Sequence, residues 1–149
     1  MVVLPVSLEK KRERKLFNIN RMLTALAKHI ERYQAVDPYM LSIDHDAHCG
    51  SIINKFTLLF DAIWRYFKLL IEHKHGEKLL GARDVFAALH ELAVISAEEF
   101  SLAKNMIADR NDFVHEYDPE HSNQACEKII ADYRPLFLTL LQRDAPFLA

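Results

Sequence analysis

The chain is short of the residues that turn a backbone. Three glycines and five prolines among 149 residues are too few for a many-turned β-sandwich or a low-complexity segment, and they favour long helices joined by a handful of loops. Cysteine is nearly absent as well. Cys49 and Cys126 cannot make a disulfide framework, no CxxC spacing exists, and two ordinary thiols fit a reducing compartment. Neither sits in a matched histidine and carboxylate pattern, so a thiol enzyme is not expected. An excess of positive charge is missing: the formal net charge is −2, so nucleic-acid binding would have to rest on a local patch, or on one shared between subunits. No apolar run reaches membrane-spanning length, and the apolar stretch from Met1 to Val6 is too short for a secretory signal. The expectation is a cytoplasmic protein with no membrane attachment.

Half of the residues are apolar, enough for a real core in one domain over residues 1–149. Ser7 is a candidate cap for a first helix that opens with the charge run Lys10 to Lys15 and lays Leu16, Ile19, Leu23, Leu26, Ile30 and Tyr33 along one face. Asp37-Pro38 stops it. Tyr39 to Gly50 shows no period and reads as a long loop, with a second helix starting near Ser51. That helix repeats Ile53, Phe56, Phe60, Ile63, Phe67 and Leu70, yet Ile52, Leu59, Trp64 and Tyr66 fall on other faces. A helix so apolar all round must be covered on several sides, by its own bundle or by a second subunit. Gly76 is placed to end it.

A third, short helix is expected from about Ala82 to Leu92, and Ser96 with Glu99 makes a capping box that starts a fourth. Phe100, Ala103, Ile107 and Val114 would be the buried side of the fourth helix. After Asp118-Pro119 a fifth helix carries Cys126, Ile130, Tyr133, Phe137 and Leu140, with a kink at Pro135. The fold class is therefore all-α, an up-and-down bundle of four long helices and one short one.

Chemistry concentrates in Asp109-Arg110-Asn111-Asp112-Phe113-Val114-His115-Glu116-Tyr117-Asp118, at the polar end of the fourth helix. A permanent guanidinium, an imidazole that titrates near neutrality and a phenol can together bind a phosphodiester, move a proton and offer a hydroxyl for modification. On a straight helix Arg110 and Tyr117 share a face, while His115 points about 140° from Arg110. Either the helix loosens before His115, or two copies of the motif meet across a twofold axis. We expect the symmetric dimer, which would also cover the apolar excess on the second helix.

Arg110 to Tyr117 resembles the R-x4-H-x-Y signature of the HEPN superfamily, and more narrowly the HepT-type toxins and the related nucleotidyltransferase substrate-binding proteins. Upstream, Asn54 to Trp64 is similar to the family's aromatic-rich helix, and Arg83-Asp84-Val85 followed by Glu98-Glu99 keeps its order and spacing. The likeness covers about Ser51 to Lys128, and the segment from Val36 to Gly50 looks longer than is usual for the family. It implies a dimeric, HEPN-like bundle that acts as a metal-independent endoribonuclease toxin, needs no cofactor, and is neutralised by a small cognate nucleotidyltransferase serving as antitoxin. His115 would then be the general base or acid on the ribose 2′-hydroxyl, Arg110 would hold the scissile phosphate of the RNA, and Asn111 would orient it. Tyr117 would be the hydroxyl that the partner adenylylates. Val114, where the substrate-binding branch often has serine, sits closer to the toxin pattern. The other implied role is a noncatalytic substrate-binding subunit of a nucleotidyltransferase.

Plainer readings stand beside these. Arg110 with Asp109 or Asp112 could be a solvated ion pair, and His115 a cap favoured by the helix dipole. Asp44-His45-Asp46-Ala47-His48-Cys49 has the residue types for zinc but no second cluster at fixed spacing, so no metal is expected. His73-Lys74-His75 suits a helix C-terminus. The run Lys10 to Lys15 reads first as a solvated face and second as positive potential for RNA or a partner.

Overall fold

The computed structural model describes residues 6–35, 43–113 and 119–148. Six α-helices run in chain order: α1 Val6–Ala35, α2 Ile43–His75, α3 Ala82–Glu91, α4 Ala97–Phe113, α5 Pro119–Lys128 and α6 Arg134–Leu141. A π-helical turn, Ile129–Tyr133, joins α5 to α6, and a 3-10 turn, Ala145–Phe147, follows. Lys128 and Arg134, at the two ends of the π turn, both have right-handed helical backbone. The three segments therefore form one rod, and the described residues make four long helical rods and one short helix without a strand. None of these helices is long and apolar enough to cross a membrane.

The central element is α2, against which α1, α3, α5, the π turn and the terminal 3-10 turn all pack. Ile52, Phe56, Leu59, Ile63, Tyr66, Phe67 and Ile71 are all buried within this one chain. The all-round apolar character of α2 thus needs no second subunit to explain it. Phe56 stacks on Tyr133 and Phe137 at centroid distances of 5.6 and 5.7 Å and takes the edge of Phe113 at 5.9 Å. Phe56, Tyr133 and Phe137 are buried, each worth roughly 1.5–3 kcal/mol relative to exposure, and half-buried Phe113 brings the end of α4 onto this cluster.

Three expectations need correcting. The stretch Tyr39 to Gly50 is not all loop, because α2 begins at Ile43 and adds two turns before Ser51. Its histidines and acids hide a helical phase in which buried Cys49 precedes Ile52 and Phe56 at steps of three and four, and Asp46 suits the positive end of the helix dipole. Ser7 lies inside the first turn of α1, which already includes Val6. The irregularity of the fifth rod falls over Ile129–Tyr133, before Pro135. Proline offers no N–H to the carbonyl four residues back and its ring crowds that carbonyl; here that carbonyl belongs to Ala131, inside the π turn.

Other local readings hold. Gly76, at φ 68°, closes α2 with its N–H on the carbonyl of Glu72 at 3.0 Å. The capping box is reciprocal: Ser96 N–H donates to Glu99 Oε1 at 2.9 Å, and Glu99 N–H donates to Ser96 Oγ at 3.1 Å. His73, Lys74 and His75 are exposed in the last turn of α2. On α4 Ala103 is buried as expected and Phe100 and Ile107 are half-buried, while the fully buried Met106 was not anticipated. Val114 lies outside the described residues.

Candidate functional site

The last turn of α4 turns its side chains toward three neighbours, because successive residues advance by about 100°. Asp109 faces the fifth rod: it accepts a short hydrogen bond from the Tyr133 hydroxyl and one from Lys128 Nζ at 3.3 Å. Burial first, then that carboxylate, pushes the Tyr133 phenol far above its ordinary value, so it stays a donor. Asn111 is exposed, and with Arg83, Lys104, Ile107 and Ala108 it lines a shallow depression of ≈ 260 Å³ between α3 and α4.

Arg110 faces α2. Its Nη2 donates to Asp61 Oδ2 at 3.1 Å and is 3.4 Å from Oδ1, and its guanidinium carbon lies 5.9 Å from the centre of the Phe60 ring. Nη1 is 3.4 Å from Asn111 Oδ1. The carboxylate of Asp61 also takes the indole N–H of Trp64 at 3.3 Å, and Arg65 covers the Trp64 ring at 5.2 Å. With 27% of the Arg110 side chain and 35% of the Asp61 side chain exposed, the pair is open to solvent and to a ligand on one side. The Nε of Arg110 is buried and has no hydrogen-bond partner among the described residues. Asp61, rather than Asp109 or Asp112, is therefore the counter-ion of Arg110.

Arg110 and Asn111 are thus adjacent, Arg110 against α2 and Asn111 toward the α3–α4 depression. His115 and Tyr117 lie outside the described residues, as do Glu116 and Asp118. Sequence reasoning missed Asp61, Tyr133 and Lys128. Asp61 is the one carboxylate between Asp46 and Glu72, but nothing in the local spacing marks it as the partner of Arg110.

Beside the last turn of α4 opens a groove of ≈ 270 Å³, walled by Asp109, Asp112 and Phe113 on one side and by Ser122, Gln124 and Lys128 of the fifth rod on the other. Ile53 of α2 also lines it. Such a mixture of apolar wall, carboxylates, amide and ammonium suits a small polar ligand. Among the described residues no group of three or more histidine, cysteine or acidic side chains is placed to hold a metal ion. Cys49 Sγ donates to Asn123 Oδ1 at 3.2 Å instead.

A central aromatic helix enclosed by the chain's other helices, with a polar groove beside the end of α4, makes a helical bundle. The family profile described as nucleotidyltransferase substrate binding protein like matches residues 14–144, and the chain belongs to that family. A crystal structure of a protein from Thermus thermophilus is similar to it, with a TM-score of 0.67 and 25% identity, over 82% of this chain and 97% of that one. No curated protein matches the chain.

Proposed function

We propose that this protein is a noncatalytic subunit that holds an acceptor substrate for a nucleotidyltransferase bound beside it. The observation that carries this reading is the family match over residues 14–144. The groove next to α4 supports it, since Asp112, Gln124 and Lys128 offer an acceptor and donors to a polar ligand over the apolar wall of Ile53 and Phe113. In this role Arg110 and Asp61 act as a fixed strut that sets the groove wall.

A second reading is the ribonuclease toxin, favoured by the order Arg110, Asn111, His115, Tyr117 at the end of a capped helix. There Arg110 and Asn111 bind the phosphate of an RNA, His115 moves the proton, and a partner nucleotidyltransferase adenylylates Tyr117. On a straight helix Arg110 and His115 diverge, so this reading needs either a helix that loosens before His115 or a homodimer that brings two copies of the motif together. The Asp61 carboxylate weighs against it: a phosphodiester would have to displace an anion already paired with Arg110.

One experiment separates the two. The purified protein is incubated with RNA and excess chelator, and in parallel its Tyr117→Phe variant is incubated with a small nucleotidyltransferase, ATP and a panel of small polar acceptors while pyrophosphate release is followed. Intact RNA with faster release is the expected result. RNA cut by the protein alone, and left uncut by His115→Ala, would overturn it in favour of the toxin.

A further inference from the structure

The charge of this molecule is segregated. Helix α1 carries eight cations and three acids, whereas the whole chain has 19 cations and 21 acids. By difference, α1 holds a net +5 and the remaining residues a net −7. Helical phase sorts the cations further. At 100° per residue Lys10, Arg14, Arg21, Lys28 and Arg32 fall within about 40° of one another, along about 33 Å of axis. All five are exposed, and none forms an ion pair with a described residue. Arg12, on the opposite side, is the α1 cation that does pair, with Glu9 and Asp144.

Phe17 stands in this row, 62% exposed, with the Arg21 guanidinium 5.9 Å over its ring. Together with Asn20, Thr24 and Lys28 it lines a shallow trough of ≈ 400 Å³. Burial first, and after it the like charges of Arg65, Arg14 and Lys11, hold the Lys15 ammonium below its ordinary value.

We propose that the outer face of α1 binds single-stranded nucleic acid, with Lys10, Arg14, Arg21, Lys28 and Arg32 along the phosphodiester backbone and Phe17 as a stacking platform for a base. Cations spaced along a groove with an aromatic among them are the arrangement that single strands require. A membrane fits less well, because the apolar side of α1, with Ile19, Leu26 and Ile30, is buried in the core and cannot insert. An acidic protein surface fits less well too, since besides Phe17 and Val6 the row offers little apolar surface to desolvate. The surface is distinct from the groove beside α4 and stands or falls independently of the nucleotidyltransferase reading.

The test is fluorescence anisotropy of the full chain with a labelled oligouridylate of about 20 nucleotides, from low to moderate KCl. Binding is expected to weaken with salt at a log–log slope of about −2 to −4, from about three to five phosphate contacts. Arg14→Glu/Arg21→Glu/Lys28→Glu, all surface positions, should lose more than about tenfold in affinity at unchanged far-UV circular dichroism. Phe17→Ala should lose about fivefold or more while keeping the salt slope. No binding at low salt, binding that survives the triple charge reversal, or binding to phosphatidylglycerol vesicles without binding to the oligonucleotide would each overturn the proposal.

Discussion

Arg110 and Asp61, 49 positions apart in sequence, meet as an ion pair at 3.1 Å that ties the end of α4 to the middle of α2. The pair is about a third exposed, so solvent screens it and its worth is that of a partly buried bridge. A double-mutant cycle with Arg110→Met and Asp61→Ala should give a coupling of about 0.5–1 kcal/mol in urea unfolding. No measurable coupling would mean that the pair does not hold α4 in solution.

Tyr133 is nearly fully buried, and its hydroxyl is committed to Asp109. Tyr133→Phe keeps the stack on Phe56 and removes the donor. A loss of about 1–2 kcal/mol is expected, because Asp109 keeps only the exposed Lys128. Phe56→Ala, which empties the centre of the aromatic cluster, should cost about 3–5 kcal/mol.

Ala93 sits in the left-handed region at φ 59°, in the turn between α3 and α4. A Cβ there costs roughly 1–2 kcal/mol, partly offset by the greater freedom of glycine in the unfolded chain. Ala93→Gly should therefore stabilise the protein by about 0.5–1 kcal/mol, read as a higher urea midpoint at unchanged slope. A lower midpoint would contradict the strain.

Glu99 is held by Arg143 Nη1, at 2.8 Å from Oε1, and by the Ser96 N–H. The Arg143 hydrogen bond, and then Ser96, pull its carboxyl below the ordinary value. A carboxyl with a depressed folded-state pKa binds fewer protons folded than unfolded. Its contribution is thus complete above the ordinary carboxylate range and is lost as pH falls through the depressed value. The stability gap between the native protein and Glu99→Gln should narrow below pH of about 4. A gap that stays constant down to the acid transition would rule out the ionised pair as its source.

Much of this fold was legible because its determinants are local. The Ser96–Glu99 box, Gly76 and the apolar steps of α1 and α2 each act within a turn or two, so spacing alone reveals them. The start of α2 was not, because Asp46, His48 and the lone Cys49 break the apolar count although the helix continues beneath them. The π turn was hidden because Pro135 acts on a carbonyl four residues earlier. At the site, Arg110 was found from its chemistry, but its partner could not be: Asp61 depends on how α4 crosses α2, which no local pattern encodes. Most of the apolar excess of α2 is covered by the chain's own helices, while Leu58 stays exposed.

The central claim is that this bundle serves a nucleotidyltransferase held against it. Its most direct test is isothermal titration of the protein into a small nucleotidyltransferase that lacks a substrate-binding region of its own. A saturable complex at fixed stoichiometry is expected, persisting in Tyr117→Phe. Absence of any complex, together with RNA cleavage by the protein alone in excess chelator, would contradict it.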